Sequence, residues 1–380
     1  MCAASLPEAA LLPRLLGLKI DPKGNGRRAA TAPIMKSVRR SDFDVTNTVQ
    51  VSSPTAVFEA VEALYRPTWP ELELAPVEKA FAHFEKLFAG KVPGYFGVDT
   101  VYHDRQHTLD ITLALARLIV GHERAQPEDL RLGSERAVVG LIIGLFHDVG
   151  YLRRTDDHQS QNGAEFTRTH VSRGARFLQE YLPVLGLPGW VPVATEIIHF
   201  TGYEVPFAQI EAKVTDPLDV MLGHLLGTAD MIAQIADRCY LEKCRDRLYA
   251  EFVLGGVALP VAANGGRQVK YASGLDLLRQ TPEFVAEVRE KRLDGDFHSA
   301  YRFLEPLYGG RNPYIEAIDR NMEYLRQILR SENWRLLRRS PPIFAAGADP
   351  MSTMRGLMLG YIKRVWSGQP SEPKMVAKGK

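Results

Sequence analysis

Cysteine is scarce. The 380 residues hold three, Cys2, Cys239 and Cys244, an odd number without a CxxC pair. A disulfide framework is therefore not expected, and a reducing cytoplasm fits this usage best. A surplus of one charge is also missing. Lys and Arg number 47 against 45 Asp and Glu, a net +2, so overall electrostatics predict binding to neither a nucleic-acid duplex nor a membrane surface. No apolar run approaches the roughly 20 residues that a bilayer span needs; the longest, "AVVGLIIGLF", stops at a His-Asp pair. The opening residues have no basic region ahead of a long apolar core, so no secretory signal is read. Internal repeats and alternating strand patterns are absent too. What remains is an ordinary globular composition, 45% hydrophobic and 24% charged, long enough for one large domain or two modest ones.

The apolar residues that are there recur every three to four positions along most of the chain, which predicts an all-α fold. Residues 1–40 lack that period and are expected to form a mobile leader, with Met35 as a second candidate start. Residues 41–100 carry a helical segment, in which Ser53-Pro54 reads as a cap followed by a first-turn proline. A run of helices follows through residues 101–255, the last predicted as one helix from Asp216-Pro217 to "YAEF". Gly/Pro-rich "VLGGVALPVAANGGRQVKYASG" reads as a loop, residues 256–340 as further helices, and 341–380 as a weakly structured tail.

Histidine number ten, and several fall where chemistry is plausible. In "VYHDRQHTLD", His103 and His107 are four apart, a spacing that places both on one helix face with Ile111, Leu115 and Leu118. Two buried, hydrogen-bonded histidines would satisfy the pattern equally. In "LIIGLFHDVGY" an apolar segment ends in His147-Asp148. A buried carboxylate is costly unless it is paired or bound to a cation, although a capping aspartate is the simpler alternative. Gly140 and Gly144 lie on the same face and would admit a close helix. His170 heads "THVSRGARFLQEYL", His199 ends "ATEIIHF", and Asp230 sits within apolar "HLLGTADMIAQIAD", where an aspartate needs a partner.

The order H…HD…H…H…D, formed by His107, His147, Asp148, His170, His199 and Asp230, resembles the HD-domain metal-dependent phosphohydrolase superfamily over roughly residues 101–255. The resemblance implies an HD-domain helical bundle extended by N- and C-terminal helices. It implies two divalent transition-metal ions, iron or manganese first and zinc next. His107, His147, Asp148 and Asp230 would hold one ion, and His170 and His199 the other, with Asp148 bridging. A hydroxide between two such cations is a nucleophile at neutral pH.

"YHDRQHTLDI" is similar to the "YHNxxHxxDV" signature of cyclic-nucleotide phosphodiesterases, which implies that His103 is a general acid acting with Asp148 at the reaction centre. Asp104 stands where that signature has Asn. "HDVGY" and "IIHFTGYE" are similar to an altered HD-GYP domain, but Tyr151 replaces a lysine and Phe200 a second histidine, which speaks against cyclic di-GMP and a third metal. Candidate substrate contacts are Arg153 and Arg154 after the HD turn, His158 on a polar loop, and Gln234 and Arg238 beyond Asp230, since guanidinium groups grip phosphate. The expectation is hydrolysis of a small phosphorylated substrate, a cyclic nucleotide or related phosphodiester, in the cytoplasm, by a chain that can assemble as a homo-oligomer. A mixed-valent di-iron oxygenase shares the same six ligands, and a non-catalytic regulator is a third reading.

Overall fold

A computed structural model describes residues 39–260 and 268–367. Most of the expected leader, Met35 and Cys2 included, lies outside the described residues, as do the middle of the Gly-rich loop and the polar end of the tail. Among the described residues the fold is all-α, with 13 α-helices and no strand. Extended backbone pairs only in two isolated bridges, Phe43 with Gln50 and Tyr95 with Arg154.

Two short helices come first, α1 (Pro54–Tyr65) and α2 (Ala75–Phe88). The Ser53 side chain accepts from the Ala56 N–H, the cap that the Ser-Pro pair predicts. Helix α3 (Arg105–Ala125) is the axis of the fold. Every residue from Gln106 to Glu123 is buried, so its neighbours surround it: α1, α4 (Gly133–Phe146), α8 (Pro217–Ala236) and a 3-10 segment Ala300–Tyr308. The close approach expected at Gly140 and Gly144 is present. A β-carbon at Gly140 would fall 2.6 Å from a Leu222 methyl of α8, and one at Gly144 2.7 Å from a Leu115 methyl of α3. Between α4 and α8 come α5 (His170–Val184), α6 (Val191–Ile197) and α7 (Phe207–Glu211).

The single helix expected from Asp216 onward is instead broken. Helix α8 stops at Ala236, because Asp237 leaves the helical conformation and its side chain accepts from the Cys239 N–H, which starts the next turn. Short α9 (Tyr240–Lys243), a π-helical stretch Cys244–Leu248 and α10 (Tyr249–Leu254) follow. Helix α11 (Gly274–Glu287) begins earlier than "TPEFVAEV" suggests, since Ser273 caps it, and holds Pro282 in its interior. Helix α12 (Pro313–Ser331) is amphipathic, capped by Asn312.

The tail departs furthest from expectation. It forms an extended strap and then α13 (Pro350–Ser367). Met351, Met354, Met358 and Tyr361, spaced at helical intervals, pack against Val101, Ala164, Ala250 and Leu254. The strap is tied down by Arg247, which donates to the carbonyls of Pro341 and Pro342, and by the Phe344 N–H, which donates to Asp104 at 3.2 Å. The tail thus covers the segment that carries His103.

One buried ion pair secures the N-terminal segment to the axis. Arg117, on α3, donates to Asp44 at 2.8 Å and to the Tyr314 hydroxyl of α12 at 2.8 Å. Asp44 is completely buried and also accepts from Thr46, Thr48 and Val49 N–H groups. Burial pushes the Asp44 carboxyl up, but Arg117 and these donors outweigh it and hold it below the usual carboxylate range. A depressed folded value means stability that is present above the unfolded pKa of about 3.9 and lost as pH falls toward the folded one. Asp44→Asn strands a buried guanidinium and is expected to cost about 3–5 kcal/mol in urea unfolding at pH 7. The deficit relative to the parent should shrink on acidification below about pH 4. A loss under about 1 kcal/mol would mean that the pair is not what holds this segment.

Candidate metal centre

The cluster is assembled from the ends of helices. Asp104 caps α3, accepting from the N–H groups of Gln106 at 3.0 Å and His107 at 3.2 Å. His103 therefore lies just outside the helix, and the shared helix face expected for His103 and His107 does not exist. The cap brings them together another way, with rings 5.3 Å apart and edge to face. This also accounts for Asp104 itself, which serves as the cap and as a partner of the strap and of Arg247 at 3.7 Å.

His147 ends α4 and Asp148 opens the turn that follows. The His147 Nδ1 faces the Gly144 carbonyl at 2.8 Å, which directs Nε2 inward. His170 is the first residue of α5, and its Nδ1 faces the Thr167 carbonyl at 2.9 Å. In both rings a backbone acceptor takes one nitrogen and leaves the other as a lone-pair donor, the usual arrangement of a metal-binding imidazole. The Asp148 Oδ2 lies 3.3 Å from His107 Nε2 and 3.2 Å from His147 Nε2, while Oδ1 lies 3.7 Å from His170 Nε2. Asp230, on α8, places Oδ1 3.9 Å from both His107 Nε2 and His147 Nε2. One carboxylate thus faces two sets of nitrogens from its two oxygens.

Two of these atoms, His147 Nε2 and Asp148 Oδ2, are buried and make no hydrogen bond despite their proximity. Stranding buried polar atoms is expensive, and atoms this close that do not bond are suited to a shared cation. His107, His147 and Asp230 offer ligand atoms within 4.8 Å of one another, as do His103, His107 and Asp148. Imidazole and carboxylate donors suit iron, manganese or zinc.

His199 lies in the 3-10 turn Ile198–Thr201, and its Nδ1 is buried without a partner. Glu204, the largest charge acting on it, also faces His170 Nδ1 at 3.8 Å. The contacts around Asp148 join His107, His147, His170 and Asp230. The arginines expected to meet phosphate are mostly engaged elsewhere. Arg153 binds Asp99 at 2.8 Å and the Ser160 carbonyl at 3.1 Å, fastening the polar loop. Arg154 is exposed and leans over Tyr95 toward Asp156. His158 is exposed on the same loop. Gln234 donates to Asp230 and accepts from the Tyr102 hydroxyl, so it supports a ligand. The Arg238 side chain has no hydrogen bond or ion pair among the described residues.

Three contributors escape the sequence. Glu251, on α10, is fully buried and places Oε2 2.6 Å from His103 Nδ1, while Oε1 accepts from the N–H groups of Val101 and Tyr102. The signal was an acidic residue inside apolar "YAEFVL", the same one that marked Asp230. Glu204 accepts from the Val171 and Ser172 N–H groups and secures the start of α5. Asp110 has a buried Oδ1 without a hydrogen bond and borders a cavity of about 10 Å³ beside His107, the size that one water fills. Burial, then nearby Asp237, pushes its carboxyl up to about 7.

Electrostatics follow from this packing. Burial lowers His103, but the Glu251 carboxylate in contact more than offsets it and raises the imidazole above its ordinary value. Burial likewise lowers His147, and Asp148 and Asp230 carry it up to about 9. Burial raises Asp148, yet the surrounding histidines hold it well below the usual range. Burial dominates Asp230 and raises it.

Comparison with protein-family models, curated proteins and solved structures gives no match.

A cation must displace the proton of His147, so affinity should rise with pH by about tenfold per unit below about 9 while that is the only proton released. Manganese or zinc titration of metal-stripped protein in buffers of different ionisation enthalpy measures this directly. Asp148→Ala should abolish tight uptake. Metal-free protein after metal-replete expression would sink the metal-centre assignment.

Proposed function

We propose that the chain is an HD-type metal-dependent phosphohydrolase that cleaves a phosphoester, with a cyclic nucleotide or related phosphodiester as the first substrate class to examine. The observation that carries the reading is the His103–Glu251 pair at the edge of the ligand cluster. His103 offers a ring nitrogen within 4.8 Å of ligand atoms of His107 and Asp148, while Glu251 occupies Nδ1 at 2.6 Å. A carboxylate behind one nitrogen fixes the ring and favours its protonated form, leaving Nε2 to give a proton. An alkoxide leaving group requires such a donor.

When bound, cations at this cluster would supply Lewis acidity and lower the pKa of a water. The chain's own residues divide the remaining work. Asp148 presents one oxygen to each side of the cluster, and Asp230 and His147 close one side. Gln234 and Tyr102 hold Asp230 in place. The engagement of Arg153 and Arg173 with protein acceptors leaves stabilisation of phosphoryl charge mainly to the cluster itself and to His103. The buried free thiols of Cys239 and Cys244 accord with a cytoplasmic setting.

Two measurements test this. The manganese form should hydrolyse members of a cyclic-nucleotide panel, or a bis-aryl phosphate, without oxygen. His103→Ala should keep its metal and lose about 10²–10⁴-fold in turnover, with a smaller loss on a nitrophenyl ester whose leaving group needs no proton. Metal loss in this variant would make His103 a ligand. Absence of anaerobic hydrolysis, together with oxygen consumption by the iron form on an organic substrate, would favour the oxygenase reading instead.

A further inference from the structure

We propose that Tyr151 is a positioning residue, whose ring packs against both His103 and His170 and fixes the tilt of the proton donor and of a ligand imidazole. The kinetic half of this proposal rests on the hydrolase reading above; the geometric half does not.

Tyr151 packs near-parallel against each imidazole. Its centroid lies 4.5 Å from that of His103 and 4.4 Å from that of His170, with an interplanar angle of 18° to each ring. The two imidazole centroids lie 6.4 Å apart and their planes are 35° apart, so Tyr151 spans the pair and does not sit squarely between them. Each is tied at one nitrogen only, His103 to Glu251 and His170 to the Thr167 carbonyl. A single hydrogen bond at the ring edge leaves the ring free to swing about that contact. Face contact with a flat, buried neighbour is what removes that freedom, and Tyr151, 2% exposed, meets both rings at once.

Tyr151 is itself rigidly mounted. Tyr151 closes the 3-10 turn Val149–Tyr151 directly after Asp148. Arg173 donates to the carbonyls on either side of it, Gly150 at 2.7 Å and Leu152 at 2.8 Å. Gly150 admits the backbone of α5, since a β-carbon there would lie 1.8 Å from the His170 carbonyl oxygen. Asp148, the close-contact glycine and the stacking ring are thus neighbours on one turn. A side chain that filled the same volume without a flat face would keep the packing and lose the alignment.

The test compares Tyr151→Phe, which keeps the ring, with Tyr151→Leu, which removes it; Tyr151→Met replaces the latter should it not fold. The first readout needs no activity. In zinc-loaded, 15N-histidine-labelled protein, the short His103 Nδ1–H to Glu251 bond should give a downfield proton resonance. It should persist in the parent and the Phe variant and vanish in the Leu variant, while metal stoichiometry stays unchanged. The second is kinetic. The Leu variant should lose about 10–100-fold in kcat on an alkyl phosphodiester, with little change in KM and little loss on a nitrophenyl ester, and the Phe variant should restore turnover. A Leu variant that keeps the downfield resonance, or that loses both esters equally, overturns the positioning role. Should the parent hydrolyse neither ester, the hydrolase reading fails and the resonance alone decides the role of Tyr151.

Discussion

A carboxylate at the buried end of an apolar helix costs several kcal/mol unless something compensates it, and the architecture around Asp148 is that compensation. Three imidazoles converge on its two oxygens, each from a different element. Helix α3 contributes His107 from its first turn, α4 ends at His147, and α5 begins at His170. Helix termini are suited to this work, because their last residues escape the helical ladder and can aim side chains inward while backbone carbonyls fix the tautomer. The 3-10 turn Val149–Tyr151 directly after Asp148 marks where regular geometry yields to that demand.

Supporting residues form a second layer that matters as much as the first. Glu251 orients His103, Gln234 and Tyr102 steady Asp230, Glu204 caps α5, and Arg173 clamps the HD turn. None of these touches the centre of the cluster. They restrict the rotamers of groups that do, and such restriction commonly carries a large part of metal affinity and turnover. The C-terminal strap adds a third layer by closing over Asp104 and Val101, so that a segment remote in sequence seals the entrance to α3.

The hydrogen-bonding capacity of arginine decides the role of Arg153. Five donors in a rigid fork suit phosphate, but they suit backbone carbonyls and aspartates equally. Arg153 is resolved in favour of the protein because Asp99 and the polar loop present acceptors at short range. Residue type and proximity in sequence could not distinguish those outcomes.

Helical periodicity, the Ser53 and Asp216 caps, the close-packing glycines of α4 and most members of the His/Asp cluster were legible from residue order, because each depends on neighbours three or four positions away. Buried polar residues within apolar runs marked Asp148 and Asp230, and the same signal was present at Glu251. Long-range partners decided the rest. Asp104 became a cap, which moved His103 off the helix. Asp237 broke a helix by bonding its own turn, and the methionines of the tail formed α13 only because Val101, Ala164 and Ala250 offered a surface. His199 shares Glu204 with His170, a link that residue order does not show. Residue order lists which side chains can act as ligands; the packing of remote helices, through contacts more than a hundred residues apart such as His103 with Glu251, determines which of them meet.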